Sequence, residues 1–398
     1  MAALRIRSIE PEEAKRTSEL IARVFPRDPS YVRLTTWYKW MLRHPDHRWE
    51  YVRVVELDGR IVSHLLLVER HIRVRHGVLK AAGLSVVATL QEFQRQGLNR
   101  KLIEEALAFA SKSGFAVSLL DGIPDYYDRY GYVVVMPKYE IRVQTREALR
   151  LEREMEVLEV DARQAVDWLA DISEIYSREV DGLIGPAERS EGYWSWLLQK
   201  GGKLLVARSG DRALAYCWID DNPAVVEEAA GSDPSAVRSL IAVLGRKAKE
   251  AVAPEIRLNV HPDAAFGRNV VQDVGAEVGI RYPRNAGWMG RILDVVQVLR
   301  ASVGWSSKER LNLCFETDLG EVGVRRGPGG VVVEPGPCAE GTERVKGKQG
   351  ALLQLVFGYA SVPELRERGQ LQTSEKTAAT LAQLFPKVNP GLFARDHF

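Results

Sequence analysis

The sequence predicts an α/β fold with mixed sheets, arranged in more than one domain. Apolar residues alternate at positions 4–9, as they do in a half-buried strand. Apolar residues also recur at helical spacing from Leu98 to Ala110, directly after a strand candidate at 83–89, and strands that feed helices indicate a mixed sheet. A chain of 398 residues is too long for one hydrophobic core, so two or three domains are expected.

Residues 1–150 are predicted to form the first domain. Two helices, one around residues 20–25 and one in the aromatic segment 37–41, precede strands at 51–57 and 61–74, which are joined by an Asp-Gly turn. A strand at 79–89, the helix that begins near Leu98 and a strand at 115–120 follow. This order of elements favours one sheet with helices on its faces.

Residues 151–300 resemble a second copy of this topology, and residues 301–398 are predicted to form a third domain. Trp-Ser-Trp-Leu-Leu at 194–198 echoes Tyr-Lys-Trp-Met-Leu at 38–42, and a hairpin follows each of them. A helix at 291–301 is predicted to end the second copy. The third domain is expected to contain a small sheet, with strands near 311–315, 322–324 and 331–333, followed by helices at 351–357, 362–368 and 374–385.

Charge and cysteine content exclude several classes of protein. Lysine plus arginine number 55 and aspartate plus glutamate 53, so no global field favours a nucleic acid or an anionic membrane surface. Cys217, Cys314 and Cys338 are odd in number, far apart and not in metal-ligand spacing, so we expect neither a disulfide framework nor a zinc site. Without a signal peptide or an apolar span, a reducing cytoplasm is the expected location.

The turn between residues 87 and 100 carries the main functional signal. An apolar strand ends there and a helix begins at a glycine-containing turn, so the free amides of the first helical turn and the helix dipole form an anion site. Gly97 allows a pyrophosphate to approach the backbone closely. The predicted ligand-binding residues are Val87, Ala88, Thr89, Gln94, Arg95, Gln96, Gly97, Leu98, Asn99 and Arg100.

This turn resembles motif A of the GNAT acetyltransferases, which bind acetyl-CoA at Q/R-x-x-G-x-G/A. Gln94 and Gly97 match the motif, whereas Asn99 stands where the family prefers glycine or alanine. The equivalent segment of the second copy, 231–235, lacks the Gln-x-x-Gly turn, so that copy is expected to bind no CoA.

The segments 124–132 and 287–295 extend the resemblance to the Eis-type (enhanced intracellular survival) multidomain N-acetyltransferases, because 124–132 is similar to the family's P-x-F-Y-x-x-F-G-Y. The resemblance implies tandem GNAT-like domains, a sterol-carrier-protein-like third domain and assembly into homo-oligomers, in that family hexamers. It implies acetyl transfer from acetyl-CoA to a primary amine of a small molecule, an aminoglycoside-like compound or a lysine side chain, without a metal.

The resemblance also implies roles for individual residues. Tyr127 corresponds to the general acid, although it could instead be a core tyrosine, because several tyrosines crowd the same stretch. The terminal carboxylate of Phe398 corresponds to the general base, or it orients the ammonium while water removes the proton. Ser85 corresponds to a serine near the acceptor amine. The positions that line the acceptor pocket in the family are Phe25, Asp28 and Trp37.

Two other functions remain open from the sequence. Amide-forming transferases of the N-myristoyltransferase and peptidoglycan-bridge types also pair two GNAT-like domains. The peptidoglycan-bridge type uses aminoacyl-tRNA and should therefore carry a basic surface, which the near-neutral net charge of this chain disfavours. A lipid-binding protein without enzymatic activity is the third alternative. It requires a long apolar cavity in the last domain, where polar insertions such as Arg325-Arg326 do not indicate one.

Overall fold

The computed structural model describes residues 4–25, 31–303, 311–327 and 330–398. Its chain forms two compact units. The first unit contains Met1–Val135, Arg284–Val388 and Phe398, and the second contains Met136–Pro283 and Asn389–His397. The division into three domains at residues 150 and 300 stays a prediction. Within the part of the chain that the structure describes, no helix is both long enough and apolar enough to cross a membrane.

The secondary structure follows the chain in three stretches. The first contains β1 (Leu4–Ser8), α1 (Ala14–Val24), α2 (Tyr31–Met41), β2 (Val52–Leu57), β3 (Arg60–Val74), β4 (Gly77–Thr89), α3 (Leu98–Lys112), β5 (Val117–Gly122) and β6 (Val133–Val134). The second contains β7 (Lys138–Gln144), α4 (Thr145–Ala148), β8 (Glu156–Asp161), α5 (Leu169–Glu179), α6 (Glu191–Gln199), β9 (Lys203–Ser209), β10 (Arg212–Ile219), β11 (Val225–Ala230), α7 (Pro234–Glu250), β12 (Glu255–Leu258), α8 (Ala265–Asn269) and β13 (Glu277–Arg281). The third contains β14 (Gly287–Ile292), α9 (Val295–Ser302), β15 (Asn312–Thr317), β16 (Gly320–Gly327), β17 (Gly330–Pro335), β18 (Glu343–Gly347), α10 (Gln349–Phe357), α11 (Val362–Glu367), β19 (Leu371–Gln372) and α12 (Glu375–Leu384).

These strands form three mixed sheets, as the sequence predicted for the fold class. The first unit contains a sheet in the order β1-β2-β3-β4-β5-β14-β6, in which β4 and β5 are the parallel neighbours. It also contains a five-stranded sheet in the order β17-β16-β15-β18-β19. The second unit contains a sheet in the order β13-β7-β12-β11-β10-β9-β8, with β11 and β12 parallel. A sterol-carrier-like identity of the five-stranded part stays a prediction.

One strand of the first sheet comes from a distant part of the chain. β14 inserts between β5 and β6, although it follows the whole second seven-stranded sheet in sequence. The predicted helix at 291–301 is therefore wrong at its start, because Gly287–Ile292 is a strand and α9 begins at Val295. Asp294 caps this helix by accepting a hydrogen bond from the amide of Gln297. Nearly every residue of β14 is buried, so the sequence shows no alternation that would reveal a strand.

The cysteine pattern supports no disulfide framework, but the structure contains one disulfide. Cys314 and Cys338 form a disulfide across 24 positions of sequence, and Cys217 is a buried free thiol. The meander β15-β16-β17 explains the proximity. Cys314 pairs with Gly323 across β15 and β16, and a Cβ at Gly323 would lie 3.8 Å from the sulfur of Cys338. Sequence spacing alone does not show this return of the chain.

The core of the first sheet is built on α3. Leu102, Ile103, Ala106 and Ala110 recur at helical spacing, are fully buried, and pack with apolar residues of β3 and β4 such as Leu65. Fully burying one leucine or isoleucine side chain stabilises a fold by roughly 1.5–3 kcal/mol. This helix is therefore held rigidly, and its first turn is fixed at the end of β4.

Candidate active site

A slot opens between the two parallel strands of the first sheet. β4 and β5 pair at three positions, and the last pair is Gly83 with Leu119. Beyond this pair, β4 continues to Thr89 and β5 continues to Gly122, but their edges are no longer paired with each other. A bulge in β4, where Val86 has a φ of 47°, bends the strand at this place.

A buried polar network supports the bulge. Nδ1 of His64 lies 2.8 Å from the carbonyl oxygen of Val86, and Nε2 lies 3.1 Å from the hydroxyl of Tyr38. Burial lowers the pKa of His64 to about 4, so the ring is neutral at physiological pH. The carbonyl can only accept, so Nδ1 carries the proton and Tyr38 donates to Nε2. No sequence pattern indicates this network, which holds the β-branched Val86 in a strained conformation.

The turn between β4 and α3 presents a row of free amides. Gln94 donates from Nε2 to the carbonyl of Thr89 at 3.1 Å, which closes the turn. Arg95 and Gly97 have left-handed backbone angles, with φ of 62° and 74°, and α3 begins without a side-chain cap. Within the described chain, none of the backbone N–H groups of residues 95–100 donates to a protein acceptor. Such a nest at a helix N-terminus is a binding site for a phosphate group.

The donor set of this turn fits a pyrophosphate. A Cβ at Gly97 would meet no atom within 4 Å, so the outer side of the turn is open to a ligand. Arg95 and Arg100 are exposed next to it, and Arg100 is paired with Glu104 at 2.8 Å. The donors that this turn offers are therefore backbone amides at a helix N-terminus, with the exposed side chain of Arg95 beside them.

Tyr127 lies on the α3 face of the first sheet, at the open end of the slot. A Cβ at Gly122, the last residue of β5, would lie 3.3 Å from Cδ2 of Tyr127. Burial raises the pKa of the Tyr127 hydroxyl to about 12, and Tyr126 contributes further. Among the residues that the structure describes, this hydroxyl has no hydrogen-bond partner, so it is available to a ligand.

Phe398 and Ser85 lie on the opposite face of the same sheet. The ring of Phe398 packs edge-to-face on Trp288 of β14, with ring centroids 5.4 Å apart, and also against Gly83. Ser85 is two residues beyond Gly83 and therefore points to the same face. It is buried, with 7% of its surface exposed. The structure thus brings the amide turn, Tyr127, Ser85 and Phe398 together around one slot.

The three predicted acceptor-pocket residues are less completely described. Phe25 follows the last residue of α1 and Trp37 lies on α2 next to Tyr38, and both are half-buried. Asp28 lies outside the described residues. A role of these three side chains in acceptor binding stays a prediction.

In the second unit, a protein carboxylate binds the amide that follows the corresponding parallel strand, β11. β11 and β12 are paired in parallel at two positions, up to Val226 with Leu258. The carboxylate of Glu179 then accepts hydrogen bonds from the amide of Gly231 at 3.1 Å and from the amide of Phe266 at 2.7 Å. The amide of Gly231, in the turn before α7, already donates to the carboxylate of Glu179 and is not free for a phosphate. This is a physical reason for the prediction that the second half binds no CoA.

Comparisons with known proteins agree with this geometry. Residues 5–135 match the family model described as Acetyltransferase (GNAT) domain. No curated protein matches the chain in sequence. Three crystal structures share the fold over 100% of both chains: a conserved protein of unknown function from Enterococcus faecalis V583, described as a probable N-acyltransferase (20% identity, TM-score 0.78), a GCN5-related N-acetyltransferase from Anabaena variabilis ATCC 29413 (16%, 0.77) and Eis1 from Mycobacterium abscessus (16%, 0.69).

Proposed function

We propose that this protein is an N-acetyltransferase that moves the acetyl group of acetyl-CoA to a primary amine. One observation carries the proposal: the free amides of residues 95–100 form an anion nest at the open end of the slot between β4 and β5. A nest binds a pyrophosphate, and an unpaired strand edge beside it binds an extended arm that contains amides. Coenzyme A combines these two features in one molecule. The match of residues 5–135 to the acetyltransferase domain supports the same function.

The residues that hold the coenzyme act through the backbone. Residues 94–100 hold the pyrophosphate, and residues 87–89 of β4 present peptide groups to the pantetheine arm. When bound, acetyl-CoA supplies an activated thioester. The side chains around the slot bind the acceptor amine and control the movement of protons.

Tyr127 acts as the general acid in this mechanism. Its pKa of about 12 keeps the hydroxyl protonated at neutral pH, and the hydroxyl is free to donate. The C–N bond forms as the C–S bond breaks, and the departing thiolate takes the proton of Tyr127. A free thiol has a pKa of about 8.5, so this transfer is uphill unless the site disfavours a thiolate. Tyr127 is half-buried among aromatic rings, and an apolar environment of this kind disfavours a charged thiolate.

The carboxylate of Phe398 accepts the proton that the acceptor ammonium must lose before attack. A terminal carboxylate has an ordinary pKa of about 3.5, so it needs a desolvated position to act as a base. The contact of the terminal ring with Gly83 and Trp288 provides a partly dry position. In the other arrangement, the carboxylate orients the ammonium and water takes its proton. Ser85 is on this face and can hydrogen-bond to the amine.

A thiol-release assay tests the proposal. The protein is incubated with acetyl-CoA and a panel of polyamines, aminoglycosides and lysine-containing peptides, and longer acyl-CoA thioesters are run in parallel to measure acyl preference. Tyr127→Phe should lower kcat by roughly a hundredfold or more, because it removes the proton donor. CoA affinity should stay within about twofold, since the nest is untouched.

Tyr130→Phe is a matched control, because Tyr130 lies in the same segment but is buried. Its turnover should stay close to that of the wild-type protein. Unchanged turnover of Tyr127→Phe would end the acid role, and absence of CoA binding to the wild-type protein would end the proposed function.

A further inference from the structure

Asn99 presents a buried carbonyl oxygen without a partner in the coenzyme turn. It is the second residue of α3, and its Nδ2 donates to the hydroxyl of Tyr126 at 2.6 Å. Its Oδ1 is buried and accepts no hydrogen bond from any described residue. Buried polar atoms are almost always satisfied in folded proteins, so an orphan atom at a binding site indicates that a ligand completes it.

The orientation of the Asn99 side chain is fixed by its neighbour. Tyr126 packs edge-on against Tyr127 at 4.9 Å, and the guanidinium of Arg129 lies 5.0 Å above the Tyr126 ring. Arg129 is itself held by a hydrogen bond of 3.1 Å to the carbonyl of Asp125. Because Tyr126 is fixed in this way, Nδ2 of Asn99 stays bonded to the Tyr126 hydroxyl. Oδ1 of Asn99 is then left to accept a hydrogen bond from another donor.

The chemistry of this oxygen selects one part of coenzyme A. An amide oxygen only accepts hydrogen bonds, so it repels the pyrophosphate and the ribose phosphate, which carry no donors at neutral pH. The adenine amine and the ribose hydroxyl also donate, but they belong to the nucleotide, on the other side of the pyrophosphate from the pantetheine arm. The arm carries amide N–H groups, and Asn99 is held beside Tyr126 and Tyr127, where the thioester end of the arm is proposed to lie. We propose that Asn99 is a specificity residue whose Oδ1 accepts a hydrogen bond from an amide of the pantetheine arm while its Nδ2 holds Tyr126. This inference rests on the proposed function, because it needs a bound coenzyme.

Calorimetry with two ligands tests this role without measuring turnover. CoA is compared with adenosine 3′-phosphate 5′-diphosphate, which keeps the nucleotide and the pyrophosphate but lacks the pantetheine arm. Asn99→Ala should weaken CoA binding roughly tenfold, the effect of one lost hydrogen bond in a buried site. The same variant should bind the shorter nucleotide within about twofold of the wild-type value, and this retained binding shows that the variant is folded.

Tyr126→Phe is the matched control, since it removes the partner of Nδ2 and leaves Oδ1 in place. It should weaken CoA binding much less than Asn99→Ala does. Asn99→Gly, which places the residue preferred in the resembled motif, should repeat the alanine result.

Three results would overturn the inference. If Asn99→Ala weakened both ligands equally, the free end of the side chain would face the phosphates. If Tyr126→Phe and Asn99→Ala had equal effects, Asn99 would serve only to hold Tyr126. If CoA affinity were unchanged in Asn99→Ala, the oxygen would have no ligand. A wild-type protein that bound neither molecule would instead refute the proposed function and this inference together.

Discussion

The terminal ring of Phe398 lies directly against the backbone of Gly83. A Cβ placed on Gly83 would fall 2.5 Å from Cδ2 of the ring, well inside van der Waals contact. Gly83 has no positive φ, so glycine is needed here for space rather than for backbone conformation. Gly83 is also the last residue of β4 that pairs with β5. Phe398 therefore rests at the point where the slot begins.

The first prediction follows from this contact. Gly83→Ala should displace the ring and with it the terminal carboxylate, so turnover should fall roughly tenfold or more, because a misplacement of about 1 Å has effects of this size. CoA affinity should be retained, since the amide turn is not touched. Gly279→Ala is a matched control: it also replaces a strand glycine, and its nearest atom would be 3.7 Å from the new Cβ. Equal turnover of the two variants would contradict the prediction.

The second prediction concerns the terminal carboxylate itself. Residues appended after Phe398 convert the carboxylate into a neutral amide, which can neither accept a proton nor attract an ammonium. Turnover should fall roughly a hundredfold, the range of general-base effects. CoA affinity, measured by calorimetry, should stay unchanged. The same tag at the N-terminus is the control, and a fully active C-terminally extended protein would show that the carboxylate takes no part.

A third prediction concerns a buried ion cluster in the second unit. Arg189 donates to Asp396 at 2.8 and 3.0 Å and to Glu228 at 2.9 and 2.5 Å, and all three side chains are fully buried. Asp396→Ala leaves Arg189 paired with Glu228, but it removes the acceptor of Nε of Arg189 and of the buried hydroxyl of Tyr193. The cost should be about 2–6 kcal/mol of the unit's stability, because each buried donor that loses its acceptor costs about 1–3 kcal/mol.

Hydrogen exchange measured by mass spectrometry checks this effect, because it reports α5 and α6 separately from the first unit. Glu375→Ala is the control, since the Glu375–Arg366 pair is exposed to solvent and is expected to contribute little to stability. Equal protection in the two variants would mean that the cluster is not a stabilising element.

Sequence patterns within a single segment predicted the part of the site that this segment forms, the turn between β4 and α3. The apolar run into Thr89, the helical spacing after Leu98 and Gly97 between them are contiguous, so the turn and its chemistry could be predicted from about 20 residues of sequence. The mixed α/β character also followed from alternation and helical spacing. The motif around Tyr127 could be placed only through its resemblance to a family.

Contacts between distant segments could not be predicted. His64 lies 26 positions from Tyr38 and 22 from Val86, and no local pattern marks a histidine that supports a bulge. The insertion of β14 into the first sheet is equally non-local, and its even burial hides it. The carboxylate of Glu179 reaches Phe266 across 87 positions. In each case the contact joins residues that only the tertiary fold brings together, so no short stretch of sequence contains both partners.

The fourth prediction concerns the disulfide of the five-stranded sheet. The chain has three cysteines, so unfolding without reductant should expose one thiol to a colorimetric reagent and unfolding after reduction should expose three. Cys338→Ser should lower stability by about 3 kcal/mol, because a closed loop of this length loses its constraint on the unfolded chain. Cys217→Ser should leave no free thiol before reduction. Three reactive thiols in the unreduced protein would contradict the pairing.

The last prediction is a pH dependence that comes from Glu179. Burial raises the pKa of this carboxyl to about 7, and the hydrogen bonds from the amides of Phe266 and Gly231 oppose this rise only in part. The folded protein therefore holds the proton more tightly than the unfolded chain, in which the pKa is near 4.5. The stabilising contribution is complete below pH 4.5, falls as the pH rises toward 7, and is lost above it. The free energy of unfolding below pH 4.5 should therefore exceed that above pH 7 by about 3 kcal/mol through this group alone.

Comparison with Glu179→Gln isolates this group, because the other titrating groups are common to both proteins. The variant cannot ionise, but its amide nitrogen faces one of the two backbone donors, so it should be less stable than the wild-type protein at pH 5. As the pH rises to 8 the wild-type protein loses its contribution, and the stability difference between the two should shrink or reverse. Thermal melting and hydrogen exchange of the second unit at pH 5, 6, 7 and 8 measure this difference. A difference that stays constant over that range would show that Glu179 keeps an ordinary pKa in the folded protein.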